Sequence, residues 1–185
     1  RKHNVIVVRI NYRLGPFGWF THPSIQDFQN GEDKTSNFGT LDIIMALKWV
    51  NKNISNFGGN PSNVTIFGES AGGHNVLSLL VSSKAKGLFH KAISMSGYTT
   101  PISTEDAFNP SKQSATSEYA TKKVIEKLSK KYNMGTYPGK NYKSKIREML
   151  LTISSEDFFD IYANREPYEE LPLLQLVWML QYNQL

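Results

Sequence analysis

The residues with the clearest chemical potential in this chain are Gly68-Glu69-Ser70-Ala71-Gly72. They fit the pattern G-x-S-x-G, in which the serine sits on a strained strand-to-helix turn with its hydroxyl pushed out above a sheet. The flanking glycines have a mechanical reason, since so sharp a turn brings backbone segments too close for a Cβ on either side of the serine. A serine hydroxyl is a poor nucleophile until a base takes its proton, and the base needs an acid that fixes its tautomer and stabilises its charge. The chemistry to test for is therefore acyl transfer through Ser70.

The base is the difficulty. The chain has four histidines, and none follows His90. His3, beside the N-terminus, and His22, in a long loop, read as solvent or structural residues. His90, in the turn Leu88-Phe89-His90-Lys91, reads as structural. His74 lies four residues after Ser70 on the helix that follows. An imidazole there would be directed along the helix flank rather than over the exposed oxygen, so it reads as a tuning or packing group rather than the base. Glu69 precedes the serine and should point away from the substrate side, as a buried or hydrogen-bonded structural acid. Arg13 and Asp42 read as partners in a structural ion pair. The histidines are scattered without paired ligand spacing, which points to no metal, and no cofactor is implied.

Elements in the required order surround the serine. Val64-Thr65-Ile66-Phe67 is a β-branched strand, and Val76, Leu77, Leu79, Leu80 and Val81 give the next helix a broad apolar face. Val5 to Tyr12 is apolar and β-branched without clean alternation, which predicts a central parallel strand covered on both faces. A helix from about Gly39 to Asn53, capped by Ser36 or Asn37, is apolar on nearly every side and should be buried. Strand 92–96 completes a second β-α-β unit. Two consecutive units predict a mostly parallel sheet with helices on both faces, with Ser70 at the carboxyl edge where such sheets bind ligands. In the loop 13–37, Trp19, Phe20 and Phe28 either line a substrate pocket or cover the core. Beyond Gly97 the pattern predicts helices near 114–134, 145–151 and 156–162. In the first, Tyr119, Val124, Ile125 and Leu128 face inward, with Ser111 or Ser114 as cap; Ser154 or Ser155 caps the last. An apolar segment follows at 171–180. The whole reads as a single partial domain over 1–185, a sheet core over 1–100 and a helical segment over 101–185.

Four segments in order carry a resemblance to a known family: Asn11-Tyr12-Arg13-Leu14-Gly15-Pro16-Phe17-Gly18, Asn37 to Asp42, Phe57 to Gly73, and Ala92 to Gly97. Together they resemble the type-B carboxylesterases, the cholinesterase-like branch of the α/β-hydrolases, over about the first hundred residues. The resemblance implies an α/β-hydrolase fold and a serine esterase that acts on small-molecule carboxylic esters through an acyl-enzyme on Ser70. It also implies the backbone N–H of Ala71 as an oxyanion donor. Such enzymes place a further glycine-rich oxyanion loop upstream and their acid and histidine downstream, so the chain reads as an internal piece of one.

Composition sets outer bounds. The 185 residues are 39% hydrophobic and 20% charged, with no cysteine, which excludes disulfide and thiolate chemistry within the chain. No apolar run approaches the roughly 18 residues of a membrane span. Ten of the 21 basic residues fall between Lys112 and Arg147. That cluster could attract nucleic acid or anionic lipid, but reads first as a solvated helix surface. A non-catalytic, cholinesterase-like binding or adhesion protein is the other alternative, which the intact serine disfavours.

Overall fold

The computed structural model describes residues 4–99, 121–135 and 141–162. In order they form α1 (Gly15–Trp19), α2 (Pro23–Gln26), α3 (Phe38–Asn53), β1 (Thr65–Glu69), α4 (Ala71–Val81), β2 (Lys91–Met95), α5 (Thr121–Lys131), α6 (Tyr142–Thr152) and α7 (Ser155–Tyr162). The described residues divide into two compact units, one of 4–14 and 38–99, the other of 15–37, 121–135 and 141–162.

In the first unit β1 and β2 pair in parallel, from Thr65 opposite Lys91 to Glu69 opposite Met95. A parallel pair needs a crossover, and α4 supplies it. Ile43, Ile44 and Leu47 of α3 pack with Leu79 of α4 and Ala85, and Val64 and Ile66 lie against them. Each of these buried aliphatic side chains contributes about 1.5–3 kcal/mol. Side chains alternate across a strand, so the even-numbered positions of β1 serve this core while Phe67 and its register partner Ile93 stand more than half exposed on the other face.

Two expectations change here. Residues 4–14 form no strand among the described residues, although Ile10 and Tyr12 pack on the α3 core and Asn75 donates to the Tyr12 hydroxyl at 3.2 Å. β-branching favours extended backbone, but a strand also needs a neighbour to share its hydrogen bonds, and β1 pairs only with β2. Helix α3 is buried along one stripe rather than all round: Ile43, Ile44, Leu47 and Val50 face the core while Met45 is 64% and Trp49 48% exposed. Trp49 tilts against Phe57 instead, ring centres 5.9 Å apart. Arg13 and Asp42 do pair. The guanidinium donates twice to the carboxylate, each bond 2.8 Å, and holds the Asp42 carboxyl below its ordinary range.

The second unit is built on an amphipathic helix. Val124, Ile125 and Leu128 of α5 are buried with Ile146 and Met149 of α6, Phe158 of α7 and Phe20. Phe20 thus takes the core-covering reading, its ring edge-on to Phe158 at 5.0 Å, while Phe28 is exposed beneath the Arg147 guanidinium. Ser154 accepts the Asp157 N–H at 3.0 Å, which makes it the cap of α7. Tyr119, Ser111, Ser114 and the segment 171–180 lie outside the described residues. The lysines are partly neutralised: Lys131 pairs with Asp157 at 2.5 Å, and Lys143 pairs with Asp27.

His22 is fully buried, and its Nδ1 accepts the Ser24 N–H at 3.0 Å to cap α2. Burial first, and the Lys143 charge second, lower its pKa to about 4, against a smaller opposing effect of Asp27. The unfolded chain therefore takes up this proton before the folded one. The associated stability is complete above pH 6.5 and is lost as pH falls towards 4, at most about 3 kcal/mol. Urea midpoints at pH 7 and pH 4.5 should drop further in the wild type than in His22→Gln; equal drops would remove His22 from the acid response.

Candidate functional site

The turn between β1 and α4 is held by backbone geometry that few residue types tolerate. Ser70 has φ 53° and ψ −117°, a left-handed conformation that is strained for a residue with a Cβ. Such strain costs about 1–3 kcal/mol and persists where the surroundings over-determine it. Here they do. The Ser70 N–H donates to the Met95 carbonyl at 2.9 Å, and the His74 N–H closes the first helical bond onto the Ser70 carbonyl at 2.9 Å. Gly68 lies so close to the start of α4 that a Cβ on it would meet the Gly72 carbonyl carbon at 2.4 Å.

Gly73 does the same work one turn on. A Cβ there would stand 2.6 Å from the Met95 carbonyl oxygen and 2.9 Å from the Gly97 nitrogen. The Ser94 hydroxyl donates to the Gly73 carbonyl at 3.1 Å. Sequence reasoning accounted for Gly68 and Gly72 but not for the pairing of Gly73 with Gly97. The doubled glycine after the serine and the Ser-Gly after β2 were the available signal.

The serine is half-buried, and among the described residues no side chain hydrogen-bonds its hydroxyl. The amides of Ala71, Gly72 and Gly73 open α4, ahead of its first intrahelical bond, where backbone donors and the positive end of the helix dipole gather. His74 does not serve Ser70. Its Nδ1 bonds the Tyr98 carbonyl, and its ring lies 4.6 Å from the Tyr98 ring. His90 is structural, its Nδ1 accepting the Val64 N–H at 3.1 Å, and His22 is the cap of α2. His3 lies outside the described residues.

Glu69 departs from expectation: it is exposed rather than buried, with no hydrogen-bond partner among the described residues. It occupies an odd position of β1, and odd positions look away from the α3 core. Among the described residues no group of histidine, aspartate and glutamate is placed to hold a metal ion, and no helix is long and apolar enough to cross a membrane.

A model of the carboxylesterase family matches residues 1–172. The chain belongs to that family. It is 53% identical over 107 residues to the para-nitrobenzyl esterase of Bacillus subtilis, which is 58% of this chain and 21% of that protein. Carboxylesterase 1D of Rattus norvegicus is 51% identical over 106 residues, 56% of this chain and 18% of that one. Among solved structures, a thermophilic para-nitrobenzyl esterase superposes with a TM-score of 0.59 at 35% identity, over 83% of this chain and 26% of that chain. These esterases are α/β-hydrolases, and the carboxylesterase chain described here carries part of that fold. It spans about a fifth of the length of these curated relatives.

Proposed function

We propose that this chain carries the nucleophile of a serine carboxylesterase, with Ser70 as the attacking residue. One observation carries the reading: Ser70 is held at φ 53° between β1 and α4, with its hydroxyl free of side-chain partners among the described residues. A strained residue that gains no hydrogen bond from its strain is what a preorganised nucleophile requires.

The reaction follows from the geometry. Ser70 Oγ attacks the ester carbonyl carbon while a general base removes its proton. The base is a histidine oriented by an acid, both supplied by residues beyond this chain, since none of its own histidines bonds the hydroxyl. The carbonyl oxygen becomes an oxyanion in front of the opening turn of α4, where the Ala71 N–H donates to it. The alcohol leaves with the proton from the base, and water then releases the acid from Ser70 by the same steps reversed. The substrate is a small carboxylic ester, as the names of the relatives indicate for those proteins.

We read the two units as parts of one hydrolase domain, because the family match runs through residues of both. We read the lysines of α5 and α6 as a solvated surface rather than a nucleic-acid site, because Lys131 and Lys143 are paired and Arg147 lies over Phe28.

The test is covalent. The complete gene product, treated with one equivalent of a phosphonylating ester analogue, should lose its hydrolysis of para-nitrophenyl acetate and gain one adduct, located by peptide mass spectrometry on Ser70. Full inhibition with the adduct on another serine would overturn the assignment.

A further inference from the structure

The end of β2 and the opening turn of α4 are laced together at three points. The Ser70 N–H reaches the Met95 carbonyl at 2.9 Å, the Ser94 hydroxyl reaches the Gly73 carbonyl at 3.1 Å, and the His74 ring reaches the Tyr98 carbonyl. The first two lie within or beside the parallel ladder. The third extends furthest along the segment after β2 and is the one in which a side chain of α4 is the donor.

That segment has little else to hold it. Ser96 is exposed with φ 52°, Tyr98 is 61% exposed, and the approach of Gly97 to Gly73 leaves no room for an anchoring side chain. A strained, exposed segment keeps its place only through the bonds that pin it. A carbonyl oxygen can only accept, so the bond to Tyr98 requires the proton on His74 Nδ1, and the same ring lies 4.6 Å from the Tyr98 ring. His74 therefore grips residue 98 at its backbone and its side chain together.

These bonds close a ring. From Ser70 the chain runs through the first turn of α4 to His74, across to Tyr98, back through Gly97 and Ser96 to Met95, and across to the Ser70 N–H. Opening the ring at His74 frees residues 96–98 and, with them, the Met95 carbonyl that holds Ser70 in its left-handed conformation. We infer that His74 is a positioning residue for Ser70, clamping residues 96–98 onto α4 through its Nδ1–H and its ring. It touches no substrate atom and takes no proton from the serine. The inference rests on reading Ser70 as the nucleophile.

The test uses three variants of the complete gene product. His74→Ala removes both contacts, His74→Phe keeps the ring and removes the donor, and His74→Asn places an amide N–H near the position of Nδ1. For para-nitrophenyl acetate, kcat should fall roughly tenfold or more in His74→Ala and His74→Phe with KM little changed, because displacement of a reacting group acts on the transition state. His74→Asn should recover most of the loss. Hydrogen exchange of the peptide containing the Ser70 amide should quicken in the first two variants and not in the third. A His74→Phe enzyme with wild-type kcat and wild-type exchange at Ser70 would overturn the inference. So would a His74→Asn enzyme as slow as His74→Ala. Exchange is read without catalysis, so an enzyme in which Ser70→Ala left hydrolysis intact would sink the esterase reading while the exchange data still judged the clamp.

Discussion

Ser70→Gly should abolish ester hydrolysis and at the same time make the protein more stable. The first effect is the larger. Removing the nucleophile of a serine hydrolase lowers kcat by on the order of 10⁵–10⁶-fold, about 7–8 kcal/mol of transition-state stabilisation. The second follows from the turn. Glycine adopts φ 53°, ψ −117° without the steric cost that a Cβ imposes, so the substitution should raise stability by about 1 kcal/mol. Ser70→Ala separates the two effects: it removes the hydroxyl and keeps the Cβ, so activity should be lost with little change in the urea midpoint. A turnover assay and urea unfolding on the same preparations check both. Loss of activity in both variants with no gain of stability in Ser70→Gly would show that the turn is not strained by its side chain. Retained activity in either variant would remove Ser70 from the mechanism.

That opposition explains why the turn could be read from sequence. A strand, a serine between glycines and a helix with a broad apolar face are local features, and Thr65–Glu69, Ser70 and Ala71–Val81 fall where that pattern placed them. The amphipathic stripe of Val124, Ile125 and Leu128 and the cap at Ser154 were legible for the same reason, since period and capping act over a few residues. What failed depended on partners distant in the chain. The run Val5 to Val8 is as β-branched as β1 but has no ladder beside it, and Met45 and Trp49 are apolar but stand exposed. Glu69 reads as a buried acid from its place beside the serine, but its side of β1 is the open one. His22 reads as a loop residue until Phe20 and the helices around it are in place, and only then does burial set its protonation. The grip of His74 on Tyr98 joins residues 24 positions apart and has no signature in either local sequence.

Gly68→Ala should be the most damaging single methyl in the chain. Its Cβ would lie 2.4 Å from the Gly72 carbonyl carbon and 2.5 Å from the Gly72 oxygen, both backbone atoms of a helix that cannot turn aside. The strand end or the helix start must shift, which for overpacking against backbone costs about 3 kcal/mol or more. The shift would also move Ser70, two residues on, so activity should fall even where the protein stays folded. Gly58→Ala is the matching control. Gly58 has φ 81° but nothing within 4 Å of where a Cβ would stand, so the cost is backbone strain alone, about 1 kcal/mol. Gly58 lies well before the turn, and its substitution should lower the urea midpoint slightly and leave kcat alone. If the two variants proved equally stable and equally active, the close approach of β1 to α4 would not be the device that holds the serine. If Gly68→Ala lost activity and Gly58→Ala did not, the space between Gly68 and Gly72 would be as necessary to the esterase as the hydroxyl it presents.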